Sequence, residues 1–194
     1  MLGVARQAFL ERGIRASTAK IAKRAGVSEG TLFHRYGSKA KLFVAAMAPP
    51  DWRPMLESLD LEGRVGQSTV EDNLAAIADA LIGFFRQLLP WTMMSYSSRN
   101  EVGLHPGLRG KNPPPVILLK ALGRYLEAEA RRGRIRAVDS EVVARAIVGG
   151  AMQLVFGEVL AAAGAPLPIT KDVFVRGLAD LLMRGIAPSR RRRS

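Results

Sequence analysis

Two lysines and a glycine occupy helix positions that are unfavourable unless a phosphate group lies beside them. Lys39 and Lys41 fall in the first turn of a helix that Ser38 should cap, where positive charge opposes the helix dipole. Gly30 falls in the first turn of another predicted helix, where it costs about 1 kcal/mol relative to alanine. A phosphate at the helix N-terminus would reverse the electrostatic argument, and a closely approaching sugar-phosphate backbone would account for the glycine. The alternative is that both lysines are solvated surface charges.

A tight turn at Gly26 separates the two helices that must position these groups. Gly26 follows the last residue of the first helix, where a left-handed backbone is easiest without a Cβ atom, and Ser28 is a good N-cap for the second. This spacing is typical of a helix-turn-helix, whose second helix enters the major groove of DNA. We expect base contacts from Ser28 to His34. The predicted apolar seam between the two helices consists of Ile21, Ala25, Val27 and Leu32.

Positive charge is concentrated at the two ends of the 194-residue chain. Residues 1–46 contain nine Lys and Arg against Glu11 and Glu29, a net charge of +7, and Arg190 to Arg193 add +4. Only +1 of the total of +12 therefore belongs to residues 47–189. Because phosphate neutralisation dominates non-specific DNA affinity, a basic N-terminal region favours a nucleic-acid partner. The four arginines are predicted to be disordered, and they either aid solubility or add sequence-independent DNA affinity.

The first quarter of the chain resembles the DNA-binding domain of TetR-family transcriptional regulators. The resemblance implies an all-helical homodimer with three N-terminal helices that bind an operator and a larger C-terminal domain that binds a small-molecule inducer. It assigns DNA contacts to Thr18, Ser28, Gly30, Thr31, Phe33, His34 and Lys39, and Lys20 and Arg35 add positive charge beside them. The residues that carry it are Gly13, Ser17-Thr18, Ile21-Ala22, Ala25-Gly26-Val27-Ser28, Gly30-Thr31-Leu32-Phe33-His34, Tyr36, Ser38-Lys39 and Leu42-Phe43.

Three features depart from the family pattern. Phe33 stands where the family often has tyrosine, so a hydroxyl that could bond a phosphate is lost. The chain begins at Met1 inside the predicted first helix, so either its true start lies upstream or the contacts of the usual N-terminal arm are absent. The segment before Ile21 is about one residue short, which leaves Ser17 and Thr18 as alternative caps of the next helix.

Composition argues against an enzyme or a metalloprotein. The chain has no cysteine, and its two histidines, His34 and His105, cannot form a metal site alone. No nucleophile, acid and base occur at a recognisable spacing, so we predict no catalytic residue, no metal and no cofactor. No run approaches 18 uninterrupted apolar residues, and the N-terminus has no signal pattern, which predicts a soluble, cytoplasmic protein.

Beyond residue 47 the apolar periodicity predicts helices throughout, so the expected fold class is all-α. The N-terminal three-helix unit should be followed by a C-terminal helical domain for ligand binding and dimerisation. The predicted domains are residues 1–48, 49–187 and the tail 188–194. The predicted C-terminal helices span residues 70–89, 116–131, 139–163 and 170–186, with a loop up to residue 68, a break at Pro90 and an irregular segment over 100–115.

The last two predicted helices are apolar on more than one side. In a soluble chain the natural partner for the second side is the same helix pair of another subunit, which predicts a two-fold four-helix interface. The alternative is that one subunit covers both sides. The predicted interface residues are Val143, Ile147, Gly150, Leu154, Phe174, Leu178 and Leu181.

Aromatic and methionine side chains gather around Pro90 and suit a mostly apolar pocket. Ordinary core packing is the alternative for each of them. The predicted function is a repressor that a small apolar or aromatic ligand releases from a palindromic operator; a regulator without an inducer and a general DNA-binding protein remain alternatives. The predicted pocket residues are Phe85, Leu88, Trp91, Met94, Tyr96, Met152 and Phe156.

Overall fold

The structure, a computed structural model, describes residues 1–48, 51–97, 114–162, 164 and 169–186. These ranges hold helices and their connections, with no strand among them, which confirms the predicted all-α class. The predicted tail and most of the irregular segment lie outside the described residues. The helices are α1 Leu2–Arg12, α2 Thr18–Arg24, α3 Glu29–Tyr36, α4 Lys39–Ala46, α5 Arg53–Leu59, α6 Val70–Ser97, α7 Pro114–Arg131, α8 Ser140–Ala162 and α9 Lys171–Ile186.

The chain forms two compact units. The first comprises residues 1–50 and 87–113, and the second comprises residues 51–86 and 114–194. Helix α6 therefore contributes its first part to the second unit and its last part to the first. The domain bounds at residues 48 and 187 remain predictions.

Helices α1 to α4 bury one apolar core in the first unit. Phe9 of α1 meets Phe43 of α4 edge to face, with ring centroids 5.0 Å apart. Trp91 of α6 belongs to the same core, is 2% exposed, and donates its indole N–H to the backbone carbonyl of Met47. The fixed arrangement of α2 and α3 thus rests on packing behind them.

Serine side chains begin three of these helices, as the sequence predicts for two of them. Ser28 accepts a hydrogen bond from the Thr31 amide at 3.0 Å, and Ser38 accepts one from the Lys41 amide at 3.2 Å. Ser17 caps α2, which resolves the choice between Ser17 and Thr18. Gly26 has φ of 70°, so the turn between α2 and α3 uses the predicted left-handed glycine.

Two predicted breaks are helical in the structure. The predicted loop up to residue 68 contains α5, which begins with Pro54 in its first turn, where proline's missing N–H costs nothing. Helix α6 continues through Pro90 to Ser97, although a proline in a helix interior costs about 3 kcal/mol. Burial of Trp91 one residue later offsets that cost, and the Thr92 hydroxyl donates to the Leu88 carbonyl at 3.0 Å. Tertiary packing has overridden local preference here.

A buried acidic side chain organises the second unit, in which α7 packs extensively against α8. Glu129 of α7 is fully buried, accepts the Gly66 amide at 3.0 Å, and pairs with Arg134 at 3.2 Å. Arg134 also donates to the carbonyls of Gln67 and Ser68, so one ion pair anchors the turn that precedes α6. Burial raises the pKa of the neighbouring Tyr125 to about 12.

Candidate nucleic-acid interface and apolar surface

Helix α3 buries one side chain and exposes the rest of its first two turns. Leu32 is fully buried, whereas Glu29, Gly30, Thr31 and residues 33–35 are exposed. At 100° per residue, Gly30 and His34 lie opposite Leu32 and form the centre of the exposed face. A face of this width, on a helix held by packing from behind, is available to an external partner.

Hydroxyl groups cluster at the start of α3. The Ser28 and Thr31 hydroxyl oxygens are 2.8 Å apart, and both side chains are exposed. A hydroxyl is both donor and acceptor, so this pair can reorient toward a phosphate or a base edge. The arrangement fits the predicted DNA contacts of both residues, which remain predictions.

No internal contact explains the glycine at position 30. A Cβ atom added there would meet only the Ser28 hydroxyl, at 3.7 Å, so alanine would fit the free protein. The glycine therefore costs the helix roughly 1 kcal/mol in helix propensity, and no contact among the described residues compensates for that cost. This openness supports the interpretation that an external backbone approaches closely at Gly30.

The cations around α3 are free of carboxylate partners. Within residues 1–46, all of which the structure describes, no lysine or arginine forms an ion pair. Lys20 and Arg35 are exposed, and Lys39 is half-buried in the first turn of α4. The Arg35 guanidinium lies 5.8 Å from the ring centroid of Tyr36, a distance that allows a cation–π contact. The positive charge of this region is therefore available to phosphates.

Thr18 is the exception among the predicted contacts. Its hydroxyl donates to the Glu29 carboxylate at 2.5 Å, and its side chain is half-buried between α2 and α3. Glu29 lies within the predicted base-contact range Ser28 to His34, although it has no contact role of its own among the predicted residues. It is one of only two acidic residues in the first 46.

Most of the predicted interface residues of α8 and α9 are buried or half-buried within one chain. Val143, Ile147 and Leu154 are buried. A Cβ atom at Gly150 would lie 3.3 Å from the Phe174 ring and 3.6 Å from Leu178, so these three residues join α8 to α9. The dimer contacts of the predicted residues remain predictions. Of the predicted set, Leu181 is the most accessible, at 67% exposed.

The outer side of the same helices forms a second apolar surface. Its residues on α8 follow one another at intervals of four, three, seven and four, which is the spacing of helix–helix packing. Only 33% of the apolar window Ser140–Ala161 is buried, although its mean hydropathy is 1.5. By length and composition this window and Val70–Met93 could cross a membrane, a property they share with core helices of soluble proteins. The α8/α9 face consists of Val142, Ala146, Gly149, Phe156 and Leu160 with Val173, Gly177 and Leu181.

A family comparison identifies the N-terminal region. Residues 1–46 match the sequence model described as bacterial regulatory proteins, tetR family. The match covers the residues that build α1 to α4 and the exposed face of α3. Residues 1–46 thus have the sequence of a TetR-type DNA-binding domain. Regulators of this family are not enzymes. A search of curated proteins found no match.

Solved TetR-type structures share the fold along nearly the whole chain. SCO0520 from Streptomyces coelicolor is 22% identical, with a TM-score of 0.52 and 97% of both chains covered. PfmR from Thermus thermophilus is 20% identical, with a TM-score of 0.59 and 98% of both chains covered. FadR from Bacillus subtilis, solved with stearoyl-CoA, is 18% identical, with a TM-score of 0.55 and 95% of this chain and 97% of FadR covered. At these identities the likeness shows the fold alone.

The residues predicted to line a ligand pocket lie in different environments. Trp91 and Phe85 are buried, Trp91 within the helical core of the first unit, so core packing accounts for its position. Met152 and Phe156 are exposed, and the side chains of Met94 and Tyr96 lie outside the described part. Leu88 is half-buried against the core that contains Trp91. A cleft of about 230 Å³ in the second unit is lined by none of the predicted residues, but by Leu61, Glu62, Val65, Ala121, Arg124, Tyr125, Ala128 and Arg131.

Proposed function

We propose that this protein represses transcription by binding a palindromic DNA operator as a homodimer. The observation that carries the proposal is the exposed face of α3, which presents hydroxyls and an open glycine in a region whose cations have no carboxylate partners. Base edges are read by such side chains at the N-terminal end of a recognition helix, while cations bind the phosphates. Lys20, Arg35 and Lys39 are the proposed phosphate-binding cations.

The α8/α9 face supports the dimer. Apolar residues at helix-packing intervals remain exposed in one chain, and a second copy of the same two helices would cover them in a four-helix arrangement. Two copies also supply two recognition helices, which a palindromic operator needs at a spacing of about 34–36 Å. We therefore place the interface on the α8/α9 face, with Phe174 and Leu178 at its inner edge.

A small apolar or aromatic ligand is the proposed signal for release. TetR-family regulators respond to small molecules, and the FadR structure named above was solved with an acyl-CoA. In this chain, exposed Met152 is a polarizable group suited to an apolar ligand. The ligand would weaken operator binding only to the extent that it prefers the state unable to bind DNA. Cytoplasmic location follows from the proposed role.

The DNA-binding part of the proposal is tested with an operator selected from random duplexes by the wild-type protein. The double substitution Thr31→Ala and His34→Ala should lower affinity for that operator at least ten-fold, because a good base contact is worth about 1–3 kcal/mol. Gln87→Ala, an exposed polar change on α6, serves as the matched control. Equal binding by the double variant and the control, measured by fluorescence anisotropy, would exclude α3 as the reading helix.

The ligand part is tested separately by thermal shift with a panel of apolar and aromatic metabolites. A ligand at one hundred times its dissociation constant should stabilise the protein by about 2.7 kcal/mol. Any stabilising compound is then added to the protein–operator complex, where it should release the DNA. A panel that neither stabilises the protein nor releases DNA favours the alternative of a regulator without an inducer.

A further inference from the structure

One hydrogen bond joins the first residues of α2 and α3. The Thr18 hydroxyl donates to Glu29 Oε1 at 2.5 Å across eleven residues of sequence. A hydroxyl has a single proton, so in this arrangement Thr18 cannot also donate to a phosphate oxygen. The bond instead fixes the direction of a carboxylate at the exposed tip of α3.

A carboxylate at this place opposes the charge of its surroundings. Residues 1–46 carry a net charge of +7, yet Glu29 projects from the start of the helix proposed to face the phosphates. Favourable interaction with the helix dipole explains part of its presence, since acidic residues stabilise the first turn. The dipole does not require a second residue to hold the carboxylate in one direction.

The chemistry of the major groove selects what such a carboxylate can contact. An ionised carboxylate only accepts hydrogen bonds, so it is repelled by the acceptor atoms of guanine and by thymine O4. Cytosine presents its N4 amino group as a donor, whereas adenine places the N7 acceptor beside its amino group. Cytosine is therefore the base that a lone carboxylate matches best.

We propose that Glu29 reads a cytosine in each operator half-site and that Thr18 is its positioning residue. The proposal rests on the proposed function above. Thr18 holds Oε1, which leaves Oε2 to accept from the cytosine amino group. Because Thr18 already holds the flexible Glu29 side chain in the free protein, less conformational entropy is lost when DNA binds. The contact can therefore discriminate more strongly between cytosine and the other bases.

The test is selection of binding sites from randomised duplex DNA by the full-length protein and four variants. Wild type should enrich a palindrome with cytosine at one position of each half-site. Glu29→Ala should lose the preference at that position by about ten-fold and keep it elsewhere, while non-specific affinity is unchanged or higher because a repelling charge is gone. Glu29→Gln should move the preference to adenine, since an amide pairs with adenine N6 and N7.

Thr18→Val and Thr18→Ser separate positioning from phosphate binding. Valine should weaken the cytosine preference several-fold at the same position, and serine, which keeps the hydroxyl, should restore it. A uniform loss of affinity with Thr18→Val, at an unchanged base profile, would show a phosphate contact and overturn the positioning role. An unchanged profile with Glu29→Ala would overturn the base contact. Failure of wild type to enrich any duplex would instead contradict the proposed function itself.

Discussion

The exposed face of α3 and the α8/α9 face are both left uncovered by the described part of the chain, but their chemistry is opposite. Helix α3 presents hydroxyls, an open glycine and nearby cations, whereas α8 and α9 present valine, phenylalanine, leucine and small residues. Hydration keeps the first face favourable in water, while the second costs about 25 cal/mol for each Å² of apolar area exposed. The first therefore suits a charged, transient partner and the second a permanent apolar one.

The largest expected difference between the two surfaces is the dependence of their binding affinities on ionic strength. If a dimer neutralises about six phosphates, operator affinity should fall roughly 10³-fold between 50 and 200 mM salt. Dimerisation through the α8/α9 face buries apolar groups, so its dissociation constant should change by less than about three-fold. Anisotropy and sedimentation measured over the same salt series test this. A flat salt dependence of operator binding would contradict the phosphate role of the α3 surroundings.

Charge placed on the apolar face should break the dimer. Val173 and Leu181 are 54% and 67% exposed, so Val173→Glu with Leu181→Glu should leave the protomer folded and raise the dimer dissociation constant at least about 100-fold, since buried unpaired charges are costly. Sedimentation with circular dichroism measures both effects. Leu10→Glu, at an exposed site on α1, is the control and should remain dimeric. If the double variant remains a dimer, the interface lies elsewhere on the protein.

Substitution of two helical glycines tests where the dimer interface lies. A Cβ atom at Gly149 or at Gly83 meets nothing within 4 Å among the residues that the structure describes, and alanine should stabilise either helix by about 0.5–1 kcal/mol. Gly149 lies on the α8/α9 face, so its added methyl group should also weaken the dimer, by about 1 kcal/mol. Gly83→Ala, the control on α6, should leave the dissociation constant unchanged. If Gly149→Ala and Gly83→Ala had equal dimer dissociation constants, Gly149 would lie outside the interface.

An ion pair between α6 and α8 should have the smallest effect. The hydrogen bond from Arg86 lowers the pKa of Glu158 below its ordinary value of 4.5. The stability that the ion pair contributes is thus fully present above pH 4.5 and is lost as the pH falls through the lowered pKa of Glu158. Because both side chains are about a third or more exposed, we expect the ion pair to contribute less than about 1 kcal/mol to the free energy of unfolding. Urea unfolding of Glu158→Gln and wild type, at one protein concentration, should give different free energies at pH 7, and the two should converge only when the pH has fallen below the lowered pKa of Glu158.

Local chemistry made the N-terminal helix-turn-helix predictable. Ser28, Ser38 and Gly26 act on backbone groups within three residues of themselves, so their roles follow from residue type and spacing. The same is true of the cations, whose abundance is a property of the composition. The partner of Thr18 was not predictable, because Glu29 comes beside it only once the angle between α2 and α3 is set by their common core.

The C-terminal helices show the limit of periodicity. The amino-acid sequence alone established that α8 and α9 are helices with two apolar sides, because the 3.6-residue repeat of apolar side chains can be read within each segment. Which side faces inward was decided by close packing: Gly150 admits Phe174 and Leu178, and this contact turns Val142, Phe156 and Leu181 outward. The passage of α6 through Pro90 has the same origin, since burial of Trp91 outweighs a local penalty. Composition and caps thus define the helices and the charge of this protein, whereas long-range packing chooses the surfaces it presents.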